Sequence, residues 1–565
     1  TVTTGTRNIA IGLSAGDAIT TGYEHIAIGK DAGGAFTTGN NNVAIGTHAL
    51  RQCTEGSVMV AIGGYALDSV TSSTAVNKTV AIGYYALQSL TVGENNTAIG
   101  YQTLTANSAG DQNTAVGNDA MMTYNPSDGD GHNTAVGHNA LKSLATGVAN
   151  TVVGSTAADG LTGSNNVAIG FSALGDASAD VDDAIAIGRD ALAAADSSND
   201  DGSIAIGKDA LKLYSSTDAN NGSIAIGYQA GAGGTTGLSY SVIIGWRAGL
   251  DVNNARNTFI GYEAGRQCTG DSNTVIGEGA GKGGVAYDNC VLIGRNAATG
   301  SLSAGADGTV AIGLYAAGGE TSGTGTVAIG QQALNATSGY DGNTAVGYRA
   351  GFKVSSASNT LVGYTAGQGI TTGNQNTCVG RAAGENIVTG VNNILIGYDA
   401  QPFANDADNC IVIGIGINSP GGNDFSFGKS SNVVTNDFDT DADWSRSSDK
   451  RKKRNIQDDT LGLNFINDLR TVTYQWRPAE EHPEEWQAWD EDEDGNKVYH
   501  EMNTEKIMHG LIAQEVKAAL DTAGINTFGG WSENPNGQQN IAKAAFVMPL
   551  IKAVQELSEK IKHIE

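Results

Sequence analysis

Residues able to do chemistry are concentrated in one basic run at positions 447–454, Ser-Ser-Asp-Lys-Arg-Lys-Lys-Arg. A serine hydroxyl lies within reach of the carbonyl carbon of the preceding residue, so Ser448 could attack its own peptide bond if a base took the proton. A lysine amine is a base only when neutral, and the like charges around Lys453 favour the neutral form, as burial at a subunit interface would. The spacing alone favours a solvated run at a helix start, with Ser448 or Asp449 as N-cap. The residues leave both interpretations open.

A second candidate site is an acidic stretch that satisfies the spacing of an EF-hand calcium loop. Its carboxylates would be Asp490, Asp492, Asp494 and Glu501. However, Lys497 occupies the eighth loop position, and the Asp-Gly pair that follows Trp489 is also typical of a hairpin turn. We therefore predict an acidic hairpin rather than a calcium site, and we expect no metal and no cofactor.

These segments follow a long series of one cassette, roughly Asn-Thr-Ala-Ile-Gly-x-x-Ala-Leu. Its glycine recurs 24 times, 16 to 20 and most often 17 residues apart, at positions 12, 29, 46, 63, 83, 100, 117, 137, 154, 170, 188, 207, 227, 245, 261, 277, 294, 313, 330, 347, 363, 380, 397 and 414. A fixed short period predicts a solenoid in which each repeat is one rung. At strand spacing, 24 rungs would form a shaft of about 110 Å.

Three positions of the cassette predict local structure. The run Ala-Ile-Gly predicts a brief β-strand that ends where glycine adopts positive φ. An asparagine stands four residues before the glycine in 13 rungs, which predicts side-chain ladders. An alanine stands three residues after the glycine in 22 rungs, which predicts a crowded axis.

A rung this thin is expected to enclose little apolar volume, so we predict that its apolar edge faces other copies and that the chain is a homotrimer. The Val-Ala-Ile-Gly pattern resembles the head repeats of trimeric autotransporter adhesins, over nearly all of residues 1–417, with a longer period here. That resemblance implies a parallel β-roll trimer.

Composition narrows the function classes. The net charge of −27 argues against a nucleic-acid partner and for a self-repelling particle surface. No apolar run approaches membrane-spanning length and no secretory signal is visible, so we expect no membrane insertion. The chain begins with threonine and its repeats start at once, so we expect a fragment without its attachment segment. The five cysteines (53, 268, 290, 378 and 410) are interpreted as small buried apolar residues.

A carbohydrate-cleaving site would need paired carboxylates and aromatic platforms. Trp246 is the one tryptophan of the repeats, and acidic residues are spread through the loops. Seven tyrosines share the position after the repeat glycine, which we interpret as a structural register and not a cluster: Tyr84, Tyr101, Tyr228, Tyr262, Tyr348, Tyr364 and Tyr398. A glycanase is therefore not favoured.

After Gly414 the repeat ends. We predict a shaft at 1–418, a polar connector at 419–447 and an α+β domain at 448–565. A final helix carries apolar residues at alternating spacings of three and four, which predicts a coiled-coil trimerisation seam of Val547, Leu550, Val554, Leu557, Ile561 and Ile564. The alternative is that the helix packs on its own domain.

The pattern Ser-Asp-x-Arg-x-Lys, followed by the runs Thr473–Trp476 and His509–Val516, resembles the C-terminal intramolecular chaperone of phage tailspikes and tail fibres, a self-cleaving peptidase family. One departure is Lys452, where the family usually has leucine. The resemblance implies a Ser-Lys dyad that cuts between Ser447 and Ser448 once the trimeric shaft has folded. It carries the family pattern onto Ser448, Asp449, Arg451 and Lys453.

Taken together, these features predict a mainly β protein with a parallel β-solenoid trimeric shaft of about 24 short repeats. It would be a phage tail fibre or tailspike in the virion tail, with self-cleavage as its enzymatic activity. The resemblance implies other virion tail proteins and a host surface receptor, a glycan, as partners. The alternatives are a trimeric bacterial surface adhesin and a capsule-degrading tailspike.

Overall fold

Each repeat contributes one short strand to a single parallel sheet. The computed structural model describes residues 4–71, 76–127, 129–175, 180–194, 201–213, 222–233, 238–283, 286–300, 302–319, 322–336, 341–430, 432–437, 450, 453–483, 489–491, 497–499, 504–534 and 537–564. They fall into two units, Thr1–Arg446 and Ser447–Glu565. The sheet has 26 strands, and the 24 that precede its final two correspond one to one to the repeat glycines. The predicted mainly β solenoid is confirmed.

The strands from the first repeat to the last, in chain order, are β1 Ile9–Ile11, β2 Ile26–Ile28, β3 Val43–Ile45, β4 Val60–Ile62, β5 Val80–Ile82, β6 Thr97–Ile99, β7 Gly110–Asp111, β8 Thr114–Val116, β9 Gly129–Asp130, β10 Thr134–Val136, β11 Thr151–Val153, β12 Val167–Ile169, β13 Ile185–Ile187, β14 Ile204–Ile206, β15 Ile224–Ile226, β16 Val242–Ile244, β17 Thr258–Ile260, β18 Thr274–Ile276, β19 Val291–Ile293, β20 Val310–Ile312, β21 Val327–Ile329, β22 Thr344–Val346, β23 Thr360–Val362, β24 Thr377–Val379, β25 Ile394–Ile396 and β26 Ile411–Ile415. Strands β7 and β9 lie outside this sheet and pair only with each other. A single 3-10 turn, Ala304–Ala306, interrupts the described loops of this unit.

Neighbouring strands pair without any shift between equivalent residues. Ala27 pairs with Ala44, for example, and Ile28 with Ile45. Because side chains alternate along a strand, the middle residue points inward and is buried, while the outer two point away from the core and stay partly exposed.

The repeat glycines are required by both conformation and space. Gly29 has φ of 132°, and a Cβ there would lie 2.7 Å from the carbonyl oxygen of Gly46 in the next rung. Only glycine combines this backbone angle with so close an approach. The predicted turn at the end of each strand is therefore confirmed at the glycine that recurs in every repeat.

A continuous apolar core runs inside the chain itself, from Ala15 to Ile417. It contains the alanines that stand three residues after 22 of the 24 repeat glycines and, in many rungs, a leucine one residue later. Leu50 and Leu67 are such leucines; they adopt φ of 47° and 49° and are fully buried. The N–H of Leu50 donates to the carbonyl of Ala66 in the next rung at 3.0 Å. The expectation that a rung cannot enclose its own apolar volume was wrong, because these turns fold leucine inward.

The predicted asparagine ladders are present. One of them runs through Asn96, Asn113, Asn133, Asn150 and Asn166. The Asn150 side chain donates to Asn133 Oδ1 at 3.1 Å and to the Gly163 carbonyl at 3.0 Å. The ladder therefore satisfies buried polar groups and ties each strand to the following loop.

The last two strands of the sheet lie within the segment predicted as a connector. Strand β27, Asp424–Lys429, pairs parallel to β26, and β28, Asn432–Asp437, returns antiparallel to β27. The reversal ends the parallel stacking. Strands β27 and β28 are thus part of the sheet rather than of a polar linker.

The second unit is α+β. Its elements are α1 Leu463–Asp468, β29 Val472–Tyr474, β30 Trp489–Glu491, β31 Lys497–Tyr499, β32 Met508–Gly510, α2 Ala513–Thr522, β33 Trp531–Glu533, β34 Gln539–Ile541 and α3 Val547–Lys562, with 3-10 turns at Ala479–Glu481 and Lys543–Phe546. Three antiparallel pairs form, β29 with β32, β30 with β31, and β33 with β34. A small core of Leu461, Phe465, Val516, Ala519, Leu520 and Phe546 joins the helices.

Candidate functional site

The outer face of the solenoid sheet is apolar along its whole length. In each repeat strand from β1 to β26, the residues that point outward are isoleucine, valine or threonine, and none of them is charged. Many of these side chains are exposed in the single chain, including Ile99, Ile169, Ile396 and Ile413. An uncharged, contiguous apolar face of this extent is typical of a protein–protein interface.

The last helix, like the solenoid sheet, has buried residues on one face and exposed apolar residues elsewhere. Pro549 and Ala553 of α3 are buried, and Glu556 accepts the backbone N–H of Leu463, at the start of α1, at 2.8 Å. The six seam residues are all exposed: Val547, Leu550, Val554, Leu557 and Ile561 belong to α3, and Ile564 lies just beyond its end. The helix packs on its own domain through Pro549, Ala553 and Glu556, and the seam residues remain exposed in the single chain.

An open apolar cleft adjoins the start of the seam. Its volume is about 670 Å³ and its lining includes Ile466, Leu469, Phe546 and Leu550. Lys543 stands at its edge, where its Nζ donates to the carbonyl of His509 at 3.0 Å. Because Leu550 belongs to both features, the cleft and the seam form one exposed apolar surface.

The predicted cleavage residues fall mostly outside the described residues. Ser447, Ser448, Asp449 and Arg451 lie there, while Lys453 is described and is exposed in this single chain. The backbone N–H of Lys453 donates to the carbonyl of Lys450 at 3.1 Å. The dyad therefore stays a prediction.

The predicted acidic hairpin is present in its two strands. Strands β30 and β31 pair antiparallel, with Asp490 opposite Val498. The other three carboxylates of the calcium pattern, Asp492, Asp494 and Glu501, lie outside the described residues. Among the residues that the structure describes, no cluster of three metal-ligating side chains occurs.

The cysteines behave as predicted. All five are buried and none is in a disulfide. Burial raises the pKa of the Cys53, Cys268 and Cys290 thiols to about 11 and that of Cys378 to about 12. Thiols with such pKa values remain protonated at neutral pH and are poor nucleophiles.

The tyrosines after the repeat glycines do form clusters, contrary to the sequence-based interpretation. The rings of Trp246 and Tyr262 stack with centroids 4.8 Å apart and planes 3° apart, and those of Tyr348 and Tyr364 stack at 5.1 Å. Because successive rungs stack in register at strand spacing, residues at the same position of neighbouring repeats come into contact. We call these stacks the aromatic columns. Sequence reasoning identified their shared offset but missed the contact that follows from it.

The carboxylate that follows the Trp246–Tyr262 stack in sequence lacks the raised pKa expected of a glycanase acid. The carboxylate next to Tyr262 is Glu263, which forms ion pairs with Lys282 and with Arg266. The hydrogen bond from Lys282 holds the pKa of Glu263 below its usual value. A general acid needs a raised pKa, so this carboxylate is unsuited to protonate a leaving sugar.

The fold and these surfaces define a β-solenoid protein with a separate C-terminal domain. Residues 448–525 match a family model described as chaperone of endosialidase, so the predicted chaperone domain is supported in the part of the second unit that begins at Ser448. A search of curated proteins and a search of solved structures found no match. No helix in the described ranges is long and apolar enough to cross a membrane.

Proposed function

We propose that this chain is the homotrimeric shaft of a phage tail fibre or tailspike, whose C-terminal domain, residues 448–565, drives trimer folding and is then removed by self-cleavage. The observation that carries the proposal is the match to the chaperone family, which begins at Ser448 itself. The shaft would sit in the virion tail, joined to other tail proteins, and attach to a host surface receptor. The receptor class, a glycan, follows from the resemblance.

The exposed apolar surfaces of the solenoid and of the second unit both support self-association. The outward isoleucines and valines of the solenoid would pack against equivalent residues of two further copies. Each chain already encloses its own apolar core. Association would therefore bring together three chains whose rungs are already folded, and it would not be needed to complete the core of a rung. In the second unit, the exposed seam of α3 would align the copies before the shafts pair.

The proposed cleavage uses Ser448 as nucleophile and Lys453 as base. The Ser448 Oγ attacks the carbonyl carbon of Ser447 while the Lys453 amine takes its proton. That proton passes to the Ser448 nitrogen as the peptide bond breaks, leaving an ester between Ser447 and Ser448 Oγ. Water hydrolyses the ester to a Ser447 carboxylate and a free Ser448 hydroxyl. Asp449 and Arg451 complete the family pattern around these two residues.

Denaturing electrophoresis of the expressed 57.7 kDa chain tests the cleavage. We expect two unequal fragments from the wild type and one full-length band from Ser448→Ala and from Lys453→Gln. Ser447→Ala is the matched control, because it removes the neighbouring hydroxyl but keeps the nucleophile, and it should still be cut. An uncut wild type would refute self-cleavage, and a monomer in light scattering of Ser448→Ala would refute the trimer.

A further inference from the structure

Two of the aromatic columns contain cations between or beside their rings. In the first, Tyr228, Trp246 and Tyr262 stack on three successive rungs. Lys208 Nζ lies 5.0 Å from the Tyr228 ring centre, and the Arg247 guanidinium lies 4.3 Å from that of Trp246. These distances are typical of cation–π contacts.

A second column begins at Tyr348, six rungs beyond Trp246, and also has a cation beside its rings. Tyr348 and Tyr364 stack, and the Arg381 guanidinium lies 5.8 Å from Tyr364 and 5.3 Å from Tyr398. Both columns contain the same five residues, glycine, an aromatic residue, arginine, alanine and glycine, at 245–249 and 347–351, although the arginine of the second run, Arg349, lies over Phe352. At strand spacing the two lie about 29 Å apart, within the reach of one polymer chain.

The stacking decides what the columns can bind. Nearly parallel rings cover each other's faces, so they present edges and hydroxyl groups to solvent rather than a flat platform for a neutral sugar. The edge of an aromatic ring carries the positive end of its quadrupole. Edges, hydroxyl donors and cations together favour an anion.

Within the described residues, the arginines of the columns are not neutralised by a carboxylate, although Arg247 Nε donates a hydrogen bond to Gln229 Oε1 at 2.9 Å. The chain has 59 acidic against 32 basic residues, and several shaft arginines pair with a carboxylate, as Arg51 does with Asp68. Across the described residues, by contrast, neither Arg247 nor Arg381 has a carboxylate at ion-pair distance.

The columns are distinct from the face proposed for subunit pairing. That face carries no charge at any outward strand position, whereas the position after the glycine carries Lys208, Arg295 and Arg381 among its residues. Charged residues are depleted from the cores of subunit interfaces, so this position is expected to face solvent in the trimer.

We propose that the two cation-bearing columns bind an acidic polysaccharide lying along the shaft. The inference names the receptor chemistry for the attachment role proposed above and rests on that role only for its biological meaning. Duplex DNA carries about one negative charge per 1.7 Å, a denser row than one carboxylate per sugar, so the net charge of −27 disfavours DNA more strongly than a polyuronate.

Calorimetry with the full chain and polygalacturonate, a linear polyuronate, tests the proposal. We expect salt-sensitive binding that weakens about tenfold in Arg247→Gln combined with Arg381→Gln, and no binding of neutral dextran. The matched control is Arg256→Gln combined with Lys353→Gln, which removes the same charge from exposed positions outside the columns and should leave the affinity unchanged.

Three results would overturn the site: no binding of polygalacturonate by the wild type, equal weakening in the control, or duplex DNA bound as tightly through the same arginines. Adsorption to host cells is measured separately. Loss of adsorption with intact polygalacturonate binding would refute the attachment role but not the site.

Discussion

The carboxylate of Glu556, in the last helix, accepts the backbone N–H of Leu463, the first residue of α1, across 93 residues of sequence at 2.8 Å. This bond fixes α3 on its own domain through a polar contact. As a result, the apolar side of the helix is left free.

We expect Glu556→Ala to lower the free energy of unfolding of the second unit by about 1 kcal/mol, because the Leu463 N–H loses its acceptor. Urea unfolding followed by tryptophan fluorescence measures this, since four of the six tryptophans, at positions 476, 486, 489 and 531, belong to the second unit. Glu556→Gln keeps an acceptor oxygen and should recover most of the loss. Equal losses in both variants would contradict this role for the hydrogen bond.

The exposed seam of α3 predicts a separation between folding and assembly. Val554→Glu combined with Leu557→Glu should abolish trimers of the uncut Ser448→Ala protein without unfolding the domain, because both side chains are already exposed. Light scattering gives the mass and circular dichroism checks the fold.

Ser558→Glu is the control for this prediction. Ser558 is exposed on the same helix but outside the seam, so a trimer should persist. A trimer that survives the two seam substitutions would place the interface elsewhere.

Replacing a repeat glycine is expected to lower the stability of the solenoid itself. Gly29→Ala should destabilise its rungs by at least about 2 kcal/mol, because its φ is 132° and its Cβ would lie 2.7 Å from the Gly46 carbonyl oxygen. Gly202→Ala is the control: Gly202 has φ of 67° and nothing within 4 Å of a Cβ, so its cost should be about 1 kcal/mol. Limited proteolysis near each position compares the two variants, and similar protection would contradict the argument.

The features predicted correctly from sequence are those in which the same residue type recurs at the same position of many repeats. The strands, their glycine turns and the asparagine ladder of Asn133 and Asn150 follow this rule, because parallel in-register stacking converts equal offsets into contacts. The inward leucines were missed. Leu50 adopts a positive φ that is unfavourable for leucine alone and is held there by the Ala66 carbonyl of the next rung.

The functional surfaces were predictable only in part. The apolar spacing of α3 indicated a seam, but which face meets the domain is decided by Pro549, Ala553 and Glu556, whose contacts depend on the fold of α1. The clustering of the tyrosines was missed because it arises between rungs. The chemistry of Ser448 and Lys453 stays a prediction from the family pattern.

The last prediction concerns alkaline pH. Burial raises the pKa of Cys378 from 9.0 to about 12, so above pH 9 the unfolded thiol loses its proton while the folded one keeps it. The stability that this raised pKa contributes is complete below pH 9 and is lost as pH rises toward 12, by about 1.4 kcal/mol per unit.

Other groups, such as Tyr287 with its raised pKa, act in the same direction, so the contribution of Cys378 must be isolated. Cys378→Ala does so, because alanine occupies the equivalent middle position of many other strands and should fold there. Guanidinium unfolding between pH 8 and about 11 should therefore show a shallower decline for the variant than for the wild type. Parallel declines would mean that the thiol is not the titrating group.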